Sequence, residues 1–145
     1  MRTVSRSAIV PFSASEMFAL VDDIEAYPDF LPWCDTAIVH TRGDSMVEAT
    51  LEIHRGGISK SFTTRNTLQQ NKSIELVLIG GPFRRLSGGW VFQELGESGC
   101  KVSLELEFEF KNSITDRLFG PYFEASCNSL VDAFTRRAAE VYGGD

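Results

Sequence analysis

Residues 100–110 read Cys-Lys-Val-Ser-Leu-Glu-Leu-Glu-Phe-Glu-Phe. Cys100, Val102, Leu104, Leu106, Phe108 and Phe110 alternate with Lys101, Ser103, Glu105, Glu107 and Glu109. An unbroken period of two describes a strand with one dry face and one wet face. Such strands belong to an antiparallel sheet covered on one side only. The rest of the chain must supply that cover.

Working towards the N-terminus, turn signals cut the chain into strands. Gly96-Glu97-Ser98-Gly99 precedes the alternating stretch. Leu86–Phe92 reads as a strand interrupted by Gly88-Gly89, where a bulge is expected. Gly80-Gly81-Pro82 separates it from Ile74–Ile79, and Gln70-Asn71-Lys72 separates that strand from Ile58–Leu68. One face of Ile58–Leu68 carries Lys60, Phe62, Thr64 and Asn66. Gly56-Gly57 turns back to Met46–His54, whose Val47, Ala49, Leu51 and Ile53 share a face. Arg42-Gly43-Asp44 leads back to Thr36–Thr41, and Thr3–Val10 forms a first strand. That makes about seven strands, six of them consecutive hairpin partners.

Two helical stretches complete the pattern. Ser13 and Glu16 have capping-box spacing, and Phe12 and Met17 stand at staple positions. Met17, Leu20, Val21 and Ile24 give the buried stripe of a short helix that Pro28 and Pro32 end. At the other terminus Ser113–Leu118 is expected as a short first piece capped by Ser113, interrupted at Gly120-Pro121. Beyond it Phe123, Cys127, Leu130, Phe134, Ala138 and Val141 recur at helical steps until Gly143-Gly144. That second piece, about 22 residues, measures roughly 33 Å and reaches across a whole sheet. The economical arrangement is α+β: a curved antiparallel sheet around one long C-terminal helix, with a short N-terminal helix. A straight rod against a curved sheet leaves an apolar hollow.

With 145 residues and 43% apolar content, one domain over 1–145 with a sizeable core is expected. No apolar run approaches the roughly 20 residues of a membrane span. Ala8–Phe12 is too short and proline-broken for a signal-peptide core. Three widely spaced cysteines give neither a disulfide framework nor a metal spacing and fit reduced thiols in the cytoplasm. The net charge of −6 argues against DNA or general nucleic-acid affinity. Yet Ile53–Gln93 holds Arg55, Lys60, Arg65, Lys72, Arg84 and Arg85 against Glu75 alone. That block is either a solvated outer sheet face or a docking face for an anion.

The least ordinary segment is Tyr27-Pro-Asp-Phe-Leu-Pro-Trp-Cys34. It either plugs the core or forms a lid. This segment resembles the aromatic loop of the START-like, coenzyme Q-binding family of the SRPBCC/polyketide cyclase superfamily. So do Gly57–Arg65, Gly81–Leu86 with Gly89–Phe92, and Phe134–Ala138 with Tyr142. The similarity covers nearly the whole chain and is strongest to a bacterial branch of ribosome-association toxins. It implies a helix-grip fold with a hydrophobic cavity. It also implies two activities: binding ubiquinone or another polyprenyl quinone or lipid in support of respiration, or binding the large ribosomal subunit and blocking subunit joining. Polyketide cyclases occur in the wider superfamily. The shared motifs do not separate these readings.

The residues themselves favour a binding module over an enzyme. His40 and His54 are the only histidines, and His54 alternates with the apolar set of its strand. Cys34 would need a base beside it to act as a nucleophile, while Cys100 and Cys127 fall on buried faces. There is no metal-ligand spacing and no phosphate loop. No catalytic residue and no required cofactor is therefore expected. Candidate cavity walls are Phe62, Trp90, Phe92, Leu106, Phe108, Phe123, Leu130 and Phe134, each of which also reads as ordinary core. Candidate entrance residues are Phe30, Leu31 and Trp33, with Pro82 and Phe83 on a neighbouring turn. Lys60, Arg65, Arg84 and Arg85 are the candidate face for an anionic partner. The expected partners are a hydrophobic small molecule, or the large ribosomal subunit, with a transient contact at the inner membrane surface as a further option.

Overall fold

Alternation fixes the inner face of the sheet. Val102, Leu104, Leu106, Phe108 and Phe110 are all buried, as their period-two pattern requires. A computed structural model describes residues 1–97 and 99–143. Its strands are β1 (Arg2–Val10), β2 (Cys34–Arg42), β3 (Met46–Arg55), β4 (Ile58–Gln69), β5 (Ser73–Gly80), β6 (Phe83–Leu95) and β7 (Gly99–Phe110). They form one antiparallel sheet in the order β1-β7-β6-β5-β4-β3-β2. Five of its six pairings join sequence neighbours, and the sixth sets β1 along β7 from Arg2↔Phe108 to Val10↔Cys100. The helix-grip arrangement expected from the sequence is present. Two expected signals, Ser98 of the turn before β7 and Gly144 at the C-terminus, lie outside the described residues.

The glycine pair in β6 is not a bulge. The β6–β7 register runs unbroken from Leu86↔Phe108 through Gly88↔Leu106 and Gly89↔Glu105 to Trp90↔Leu104. Instead, neighbouring backbones press on it. A Cβ at Gly88 would stand 2.0 Å from the Glu105 carbonyl oxygen, and one at Gly89 would stand 2.3 Å from that of Ile74. Gly88 also adopts φ +138°, which side chains with a Cβ rarely tolerate. The strand bends at this point because the glycines let β5 and β7 close in on it. The bulge lies lower in the strand, between Phe83 and Arg85.

Helix α1 (Ala14–Asp22) begins with the expected capping box: Ser13 Oγ accepts from Glu16 N–H and Glu16 Oε1 accepts from Ser13 N–H. It stops at Asp22, before either proline. Ile24–Asp29 forms a 3-10 turn that buries Ile24 and accommodates Pro28.

The C-terminal rod differs from expectation. Helix α2 (Ser113–Asn128) is capped by Asn112, whose Oδ1 accepts from Thr115 N–H, and it runs straight through Gly120-Pro121. Two arginines support the proline turn. The Arg2 guanidinium lies against Gly120, where a Cβ would stand 2.5 Å from it. From there it donates to Asp116 one turn before and Glu124 one turn after. Arg55 donates to the Leu118 carbonyl at 2.9 Å, one residue after the Arg117 carbonyl that Pro121 leaves without its ladder donor. The interruption comes at Ser129 instead, before α3 (Leu130–Tyr142). There Ser126 and Ser129 donate their hydroxyls back to the Tyr122 and Ser126 carbonyls, a bonding pattern that bends helices. The C-terminal rod is thus two helices that meet at Ser129. No helix among the described residues is long and apolar enough to cross a membrane.

Two outcomes follow from these contacts. Gly88→Ala combines left-handed strain with a backbone clash and is expected to cost about 3 kcal/mol or more. Gly80→Ala, with open space at its Cβ position, is expected to be near neutral; paired urea melts read the difference. Arg2 holds the Asp116 carboxyl below its ordinary range, mainly by hydrogen bonding. A lowered folded-state value contributes stability at pH above the unfolded carboxylate pKa of about 4, and that contribution is lost as pH falls. Asp116→Asn should therefore flatten the acid side of the stability–pH curve, and an unchanged slope would contradict the role given to Arg2.

Candidate binding site: an internal hollow and a basic end

Two rings organise the space between sheet and helices. Phe123 from α2 meets Phe108 at 5.0 Å, Phe83 at 5.4 Å, Phe62 at 5.8 Å and Trp33 at 6.1 Å. Phe134 from α3 meets Phe30 at 5.2 Å, Trp90 at 5.3 Å and Tyr27 at 5.4 Å. Most of these contacts are edge-to-face, the geometry aromatic quadrupoles favour. The hollow that remains has a volume of about 80 Å³.

Of the expected wall residues, Phe62, Trp90, Leu106, Phe123, Leu130 and Phe134 line this hollow. Phe92 and Phe108 do not. Phe92 packs edge-on against Phe18 at 5.8 Å, and Phe108 is enclosed by Phe83, Phe110 and Phe123. Both are core beside the space.

The expected entrance residues pack inward. Leu31 is 1% exposed and Trp33 faces the hollow as wall. Phe30 lies against Phe134 with the Arg137 guanidinium 5.0 Å over its ring. The segment is therefore a plug whose aromatic side chains satisfy the core. Phe83 belongs to β6 rather than to the turn; it is buried and stacked on Phe110 at 4.5 Å, leaving Pro82 alone at the turn. A different interruption exists in the sheet. β5 and β6 pair only over Ser73–Val77 with Ser87–Val91. The ladder stops beside Leu76 and Leu86, which both line the hollow.

Sequence reasoning also missed the polar wall. Thr64 and Asn66 are buried on the inner face of β4, line the hollow, and pair through Thr64 Oγ1 donating to Asn66 Oδ1 at 2.9 Å. The signal was visible: both alternate with Phe62 on a face that the structure turns inward. Tyr27 adds a hydroxyl that donates to the Val21 carbonyl. None of the lining residues carries a charge at neutral pH.

Catalytic candidates fall away from this space or are inert. His40 and His54 are exposed, bonded to Thr50 and Ser59. Burial, with Asp35 and Glu52 nearby, pushes the Cys34 thiol up to about 12, and burial raises Cys100 and Cys127 as well. All three are protonated at neutral pH and are poor nucleophiles. No group of three or more His, Cys, Asp or Glu among the described residues is arranged to hold a metal.

The four expected anion-binding residues do not form one face. Lys60 is half-buried on the inner side of the β3–β4 arm, which extends past the last β4–β5 pair, Thr63↔Gly80. Arg65 is matched by Glu48 at 3.6 Å on the outer side. Arg84 and Arg85 are neighbours at the β6 bulge. Consecutive strand residues normally point to opposite faces, but the bulge inserts Arg84 as an extra residue, and both arginines are exposed. Their acidic neighbour Glu109 stands 3.9 Å from Arg84. Elsewhere Arg55 and Arg117 line one groove, a grouping the linear order hid.

Comparison with known proteins matches this geometry. Residues 10–135 match the family described as polyketide cyclase / dehydrase and lipid transport. The ribosome association toxin RatA of Vibrio cholerae is 47% identical over 143 residues, covering 99% of both chains. The mitochondrial coenzyme Q-binding protein COQ10 of Dictyostelium discoideum is 25% identical over 91% of this chain and 66% of its own. Among solved structures, protein CC1736 of Caulobacter crescentus superposes with a TM-score of 0.77 at 29% identity, covering 99% of this chain and all of that one. Matched over most of its length, and sharing the START-like fold of those relatives, the chain belongs to the polyketide cyclase / dehydrase and lipid transport family.

Proposed function

We propose that the protein binds the large ribosomal subunit and hinders its joining to the small one. The observation that carries this reading is the exposed Arg84–Arg85 pair at a bulge, on a chain whose net charge is −6. An acidic protein repels RNA in general, so contact requires a shaped local site. Paired guanidinium groups suit phosphate oxygens geometrically. Near full-length likeness to a ribosome association toxin supports the same reading. In sucrose gradients the protein is expected to deplete 70S particles, and Arg84→Glu/Arg85→Glu is expected to abolish that effect while leaving thermal unfolding unchanged. The salt slope of binding should fall by about one per arginine removed. Depletion by the double variant at wild-type strength would contradict the proposal.

A second reading is favoured by the Thr64–Asn66 pair, since a polar pair facing an apolar hollow fits a small ligand with one hydrogen-bonding head. A hollow of about 80 Å³ is roughly half the 150 Å³ of an engineered cavity that binds benzene. A polyprenyl quinone would therefore require the plug or the β5–β6 interruption to open. Asn66→Leu is expected to lower the amount of any quinone or lipid that copurifies, measured by mass spectrometry of extracts. An unchanged yield would remove Asn66 from ligand recognition.

A further inference from the structure

The β3–β4 turn arches over the start of α2, and between them lies an open groove of about 280 Å³ lined by Arg55, Gly56, Ile58, Arg117, Leu118 and Phe119. Two guanidinium groups and no carboxylate stand on its walls. Arg55 is held in place by the Leu118 carbonyl and by stacking over Tyr122 at 5.2 Å, so it is preorganised rather than free to swing. Around the groove, Ile58 is 48% exposed, Leu118 49% and Ile114 68%. Ile114 lies three and four residues before Arg117 and Leu118, on the same face of α2. Asp116, the nearby carboxylate, is occupied by Arg2.

We propose that this end of the protein docks on an anionic phospholipid bilayer, with Arg55 and Arg117 taking a headgroup phosphate and Ile58, Ile114 and Leu118 entering the headgroup–acyl boundary. Charge complementarity points to a polyanion. The three aliphatic side chains decide which one. Ribosomal RNA would satisfy the arginines but leave the aliphatics in water, whereas a bilayer covers both. Contact of this kind is peripheral, in keeping with the lack of a spanning helix among the described residues. It uses different side chains from the Arg84–Arg85 pair.

The test is flotation of the full chain with vesicles of phosphatidylcholine alone and of phosphatidylcholine mixed with phosphatidylglycerol. The protein is expected to float with the mixed vesicles only. Arg117→Glu and Ile58→Asp/Ile114→Asp should each weaken flotation at least tenfold, and the aspartate variant should still deplete 70S particles, which separates this proposal from the ribosomal one. Ile114→Trp, a substitution at an exposed site, should show a blue-shifted emission with the mixed vesicles. Failure of the native protein to float, flotation indifferent to the isoleucines, or an unshifted Ile114→Trp spectrum would each overturn the proposal.

Discussion

The sheet can wrap its helices because β6 has no side chains where its neighbours press hardest. At Gly88 and Gly89 the carbonyls of Glu105 and Ile74 occupy the space a Cβ would need. This close approach curves the sheet, and the curvature turns the inner faces of β3, β4, β6 and β7 towards one axis. The rod that fills the axis is interrupted at Ser129. A flat sheet would leave Phe123 and Phe134 without the rings that surround them.

The hollow is thus a small remainder of shape mismatch with a polar corner. Burying an amide or hydroxyl without a partner costs about 1–3 kcal/mol. Thr64 and Asn66 reduce that cost by bonding each other, and both still border the space. Trp33, in the same wall region, leaves its indole nitrogen without a partner among the described residues. These are features of a chamber that keeps some polar character beside an aromatic loop packed into the core.

Much of this architecture was legible because the physics is local. Alternation in 100–110, the Ser13–Glu16 capping box and the Gly/Pro turns each depend on residues close in sequence. The misreadings involve distant partners. Gly120-Pro121 looks like a helix break until Arg2 and Arg55 arrive from strands more than sixty residues away to support it. Gly88-Gly89 looks like a bulge until β5 and β7 are seen to press from either side. The true bulge at Arg84 has no turn residue to announce it. In the site, Phe92 and Phe108 were indistinguishable from wall residues because alternation tells which face a side chain takes, not which neighbour it meets. Thr64 and Asn66 were passed over as wall residues although their face was correctly drawn.

The proposed ribosomal contact rests on the exposed Arg84–Arg85 pair at the β6 bulge of an otherwise acidic protein. The hollow lies between the sheet and the helices. The most direct measurement is a cryo-electron microscopy structure of the protein on the large ribosomal subunit. The account predicts Arg84 and Arg85 within hydrogen-bond distance of ribosomal RNA phosphate oxygens, with the Tyr27–Cys34 plug still seated on Phe134. A complex held by another face, with both arginines in solvent and the plug displaced, would contradict it.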